Sequence, residues 1–151
     1  MARFRYRMQN ILELKEKIEE QEKNNFAARR IALNDEEAKM EALLAKRDGI
    51  VEEGKAIRLT VIDVRKIKEN ERERDYVEEE IKAQRLKVRV AEKNLEAARQ
   101  KMQLAMQERK IHEKMREKAF ERFVEEVNAE EVKEIDELTS YVYGTKDEED
   151  G

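Results

Sequence analysis

The chain has 151 residues, of which 33 are Lys or Arg and 37 are Asp or Glu, so 46% are charged and the net charge is only −4. There is no cysteine, no proline and no tryptophan, and only four glycines. Disulfide frameworks and thiolate metal sites are excluded, and barrels, sandwiches and Rossmann folds would lack their turn residues. Long helix or disorder remains, and the hydrophobic period must decide between them.

The first stretch places Phe4, Met8, Ile11, Leu14 and Ile18 at steps of three and four, which predicts one helix face. The stripe continues through Phe26, Leu33, Met40, Leu44 and Val51. Helix one is therefore expected over about 3–54. Gly54 is expected to stop it in the left-handed conformation that glycine adopts cheaply. A short connection over about 54–60 follows, with Thr60 as the N-cap of helix two and Asp63 three residues on. A rival turn lies near 69–75, where the stripe lapses.

Helix two is expected over about 60–140 and carries the strongest pattern. Val77, Ile81, Gln84, Val88, Ala91, Leu95, Ala98, Met102 and Ala105 alternate steps of four and three, which is a heptad seam. After Ala105 the seam meets Arg109 and His112, and an apolar stripe resumes at Ile111, Met115, Ala119, Phe123 and Val127. That break predicts a local change of supercoil. Residues 141–151 are expected to form a flexible acidic tail. The predicted fold is all-α, a single domain made of two long helices in an antiparallel coiled-coil hairpin. Helix two is the longer, so its last segment, with Met115, Phe120, Phe123, Val124, Val127, Ile135 and Leu138, is expected to seek a partner outside the hairpin.

Charge is uneven along the chain. Arg3, Arg5 and Arg7 open it without an acid, and residues 99–118 carry seven basic and three acidic residues. Residues 125–137 hold seven acids against Lys133. The basic end could suit nucleic acid, but the chain is acidic overall, so a protein partner is the better reading. The longest apolar run, Ala42–Ala45, is too short for a membrane span or a secretion signal. Cytosolic residence is expected, without membrane insertion. His112 is the sole histidine and sits among charges, as a solvated helix-face residue would. No nucleotide-binding loop, metal set, cofactor site, small-molecule substrate or catalytic residue is expected.

The opening Phe4-Arg5-Tyr6-Arg7-Met8-Gln9-Asn10-Ile11-Leu12-Glu13-Leu14-Lys15-Glu16 resembles the start of the flagellar export protein FliJ family. Glu113–Phe123 is similar to its distal helix, Lys133–Leu138 to the segment that follows, and Leu59–Arg65 to its entry into helix two. Asn70 and Glu73 stand where the family often carries aromatics. The resemblance implies a non-enzymatic, cytoplasmic coiled-coil hairpin that is peripheral at the cytosolic face of the inner membrane when assembled, and like a rotary-ATPase central stalk. Its partners would be the flagellar export ATPase ring, the cytosolic part of the export gate, and export chaperones. On that reading Arg3, Phe4, Arg5, Arg7, Met8, Ile11, Arg109, Lys110, Met115, Arg116, Ala119, Phe120 and Phe123 form the ATPase-binding tip. Val61, Val64, Ile67 and Val77 form the gate-facing surface. The alternatives are an injectisome or archaeal/vacuolar-type stalk subunit and a structural coiled-coil homodimer.

Overall fold

The computed structural model describes residues 2–149, with side chains to residue 144. Two helices, α1 (Gln9–Leu59) and α2 (Val64–Glu149), pack against each other as a hairpin. The connection is Thr60–Asp63, later than the 54–60 expected from Gly54. No described glycine has a positive φ, so Gly54 is an ordinary helical residue and stops nothing. Thr60 is not the N-cap either: its hydroxyl donates back to the Ile57 carbonyl at 3.2 Å, closing the end of α1. The cap is Asp63, whose Oδ1 accepts the Arg65 amide at 3.0 Å while its carbonyl accepts the Ile67 amide at 3.2 Å. Asp63→Ala is expected to destabilise the protein by about 1 kcal/mol in urea denaturation. Thr60→Ala, which leaves that cap intact, should cost less.

Packing divides the hairpin into two units. In the unit built from Glu20–Leu104, both helices keep a heptad. On α1, positions 33, 36, 40, 43, 47, 50, 54 and 57 alternate steps of three and four, and all are buried or half-buried. On α2, Val77 and Ile81 are 0% and 1% exposed, with Gln84, Ala91 and Ala98 also buried. Val88, Leu95 and Met102 are half-buried. Full burial stabilises by about 1.5–3 kcal/mol for an aliphatic side chain, so Val77 and Ile81 anchor this thin core.

Several inward positions of this unit are polar, and each has a partner across the seam. Gln84 Nε2 donates to the Glu36 carbonyl at 2.9 Å and also meets the Glu36 carboxylate. Arg47 pairs with Glu78 at 3.7 Å. Asn70 Nδ2 donates to the Ile50 carbonyl at 2.9 Å. To reach it, the Asn70 amide lies over Gly54, where a Cβ would stand 2.5 Å from Asn70 Oδ1. Gly54 therefore serves close approach rather than termination.

The other unit joins the N-terminal segment through Glu19 to α2 from Ala105 onward. Helix one was expected from residue 3, but residues 2–6 are not helical and α1 starts at Gln9. The reason lies in the period. Phe4, Tyr6 and Met8 are half-buried and Arg3, Arg5 and Arg7 exposed, an alternation of two that belongs to an extended segment lying on a surface. The inward face of early α1 also differs from the expected stripe. Leu12 is 3% exposed, whereas Ile11 and Leu14 are 38% and 54% exposed. Lys15 and Glu19 take the next inward places because each finds an opposite charge on α2.

The seam of α2 does not break at Arg109 and His112. Arg109, His112, Ala119, Phe123 and Val127 all stay half-buried, while Ile111 and Met115 of the expected resumed stripe are exposed. His112 is thus a seam residue and not a solvated one, and its Nδ1 is shielded without a protein hydrogen bond. Residues 141–149, expected as flexible tail, are helical. Gly144 lowers helix propensity but leaves the backbone ladder intact. Residues 150 and 151 of that tail lie outside the described residues.

Candidate functional site

At the N-terminal segment, the extended stretch sets Phe4 onto α2. Its ring meets Phe120 edge-on at 5.2 Å between centroids and Phe123 at 5.5 Å. Phe120 and Phe123 are 6.5 Å apart. Such aromatic pairs contribute about 0.5–1.5 kcal/mol each beyond simple burial. The Arg116 guanidinium carbon stands 5.8 Å from the Phe4 ring centroid, and Arg116 Nε donates to Gln9 Oε1 at 3.1 Å. A cation over a ring face is drawn by the ring quadrupole. Phe120 remains 49% exposed, so the cluster opens onto solvent.

Beside the rings runs an open groove. Phe4, Tyr6, Met8, Met115, Ala119 and Phe123 give it apolar surface, and Arg5, Arg7, Arg122 and Glu126 give it charge. The structure thus brings together Phe4, Arg5, Arg7, Met8, Met115, Arg116, Ala119, Phe120 and Phe123 of the expected tip. Arg3 and Lys110 are exposed outside the groove, and Ile11 lies on the outer face of α1. Tyr6, Arg122 and Glu126, outside the expected set, also line the groove. The alternation Phe4-Tyr6-Met8 could have flagged Tyr6.

Arg109 belongs to the hairpin rather than to the tip surface. Its Nε bonds the buried Glu19 carboxylate, and its NH1 meets Glu113 at 2.8 Å. Glu113 first, and Glu19 with it, hold the guanidinium above its ordinary pKa. Nearby, Lys15 Nζ sits 2.8 Å from Glu108 and holds that carboxyl below its usual range. These pairs fix α1 against α2 below the aromatic cluster.

Of the expected gate-facing residues, Val61 and Val64 are exposed and Ile67 is half-buried. Val77 is fully buried in the seam and presents no surface, because its heptad position points at α1. Leu59 and Ile62 are exposed instead, beside Val61, at the connection.

Among the described residues no group of three or more His, Cys, Asp or Glu is placed to hold a metal ion. Among them, too, no helix is long and apolar enough to cross a membrane. Two long helices locked by a partly polar seam, with apolar side chains open at the connection and at the termini, define a coiled-coil interaction protein. The chain belongs to the family described as Flagellar FliJ protein, which matches residues 4–148. The family is a non-enzymatic component of the flagellar export apparatus. No curated protein and no solved structure matches the chain.

Proposed function

We propose that this protein is the stalk of the flagellar export ATPase, and that the aromatic end carries its contact with the ATPase ring. The observation behind this reading is the exposed Phe4–Phe120–Phe123 cluster with Arg116 over its face. Aromatic and arginine side chains concentrate binding energy at protein interfaces. The protein works in the cytoplasm and lies peripherally at the cytosolic face of the inner membrane when assembled. Val61, Val64 and Ile67, with exposed Leu59 and Ile62, face the cytosolic part of the export gate. Export chaperones are escorted along the same hairpin.

Mixing the purified protein with the flagellar export ATPase of the same organism tests the central claim. ATP hydrolysis and ring assembly are expected to rise together with a saturable dependence on protein. An unchanged rate and an unchanged ring population would overturn the proposal.

A further inference from the structure

Beyond Phe123, α2 continues as a helix whose character changes. Val124, Val127, Glu131, Ile135 and Leu138 follow one another at steps of three, four, four and three, so they share one face. Ile135 and Leu138 are 61% and 65% exposed, and Val132 flanks them at 57%. Residues 125–137 around this stripe carry seven acids and one lysine. Glu126–Glu130 and Glu130–Glu134 are like-charge pairs at i,i+4, which weaken a helix standing by itself. An apolar stripe at helical spacing is the usual contact for a second helix. Its acidic frame selects the charge of that helix. Residues 125–137 carry a net charge of −6, so pairing two copies of this segment is opposed by repulsion.

We propose that the α2 segment from Val124 to Leu138 is a docking face for a basic amphipathic helix of another protein, separate from the aromatic end. The apolar stripe of the incoming helix covers Ile135 and Leu138. Its flanking Lys and Arg side chains meet Glu130, Glu131 and Glu134 and relieve the repulsion among them. The partner thereby stabilises the helix it binds.

The test uses the full chain and a fluorescent synthetic peptide of about 20 residues, enough for a helix to form on binding. The probe has Leu at steps of three and four and Lys elsewhere. Two controls keep the same pattern, one with Glu for Lys and one with Ser for Leu. The Leu/Lys peptide is expected to bind, more weakly as salt rises, and both controls to fail. Ile135→Ser with Leu138→Ser should weaken binding at least about tenfold without loss of helical signal, since both side chains are exposed. Glu130→Lys with Glu134→Lys should weaken it similarly by charge alone. Phe120→Ala with Phe123→Ala should leave it unchanged, even if that variant fails to act on the ATPase. Equal binding of the Ser/Lys peptide would overturn the proposal, as would equal binding by the Ile135→Ser/Leu138→Ser variant. A doubling of the chain's mass that this variant abolishes would assign the face to a second copy. Loss of binding in the Phe120→Ala/Phe123→Ala variant would merge the face with the aromatic end.

Discussion

If the aromatic end carries the proposed contact with the export ATPase, replacing Phe120 and Phe123 together by Ala is expected to lower stimulation of that ATPase at least about tenfold, as loss of an aromatic anchor does. The two rings and Phe4 form one cluster, so the double variant strips Phe4 of both aromatic neighbours. Stability should suffer much less. Truncating a fully buried Phe costs about 3–5 kcal/mol, but Phe120 is half exposed and Phe123 only partly covered. Helical content by circular dichroism should therefore stay nearly constant while the ATPase response falls. If helical content and response fell in parallel, the rings would be hairpin core and the binding surface would lie elsewhere. Arg116→Ala adds a finer reading, because it removes the cation over Phe4 and the bond to Gln9 without touching the rings.

The second large effect is a change of sign. Gly54→Ala in a helix interior would ordinarily stabilise by about 0.8–1 kcal/mol. Here the new methyl group would stand 2.5 Å from Asn70 Oδ1 and push the amide off the Ile50 carbonyl. A buried amide left without its bond costs about 1–3 kcal/mol, so the single variant should be destabilised. In an Asn70→Ala background nothing obstructs the methyl group, and the same substitution should stabilise. The coupling between the two sites, read from a urea double-mutant cycle, is expected to be on the order of 2 kcal/mol. Additive effects would mean that Asn70 swings aside freely and that Gly54 has no packing role.

The Gly54–Asn70 contact also shows where sequence reading stopped. Apolar periodicity found the α2 seam from Val77 to Ala105, because nearly every inward residue there is apolar. It could not find Asn70, or Lys15, Glu19, Glu36 and Arg47 on α1, since each looks solvated until its partner on the other helix is placed. For the same reason Arg109 reads as an interruption in the sequence and is an ion pair in the fold. Gly54 reads as a helix stop for want of any signal that a neighbouring amide needs the space. At the terminal end the residue types were legible but their geometry was not. Steps of three and four linked Met8 to Ile11, whereas the alternation of two from Phe4 to Met8 governs which side chains touch α2. Of the expected tip residues outside the groove, Ile11 was placed by helical phase and Arg3, Arg109 and Lys110 by their charge.

The two side-chain amides inside the Glu20–Leu104 unit have a mechanical consequence. Asn70 reaches Ile50 and Gln84 reaches Glu36, and both helices advance by two heptads between these contacts. Sliding one helix by a single heptad would set Asn70 against Leu43 and Gln84 against Arg29, or Asn70 against Ile57 and Gln84 against Leu43. Either way Asn70 would lie over Arg47 or Val61 instead of Gly54, and Gln84 would lose the Glu36 carboxylate. A purely apolar seam would creep under axial force, one repeat sliding past the next at small cost. This pair of helices is held in register at two fixed stations, which oppose shear along the axis.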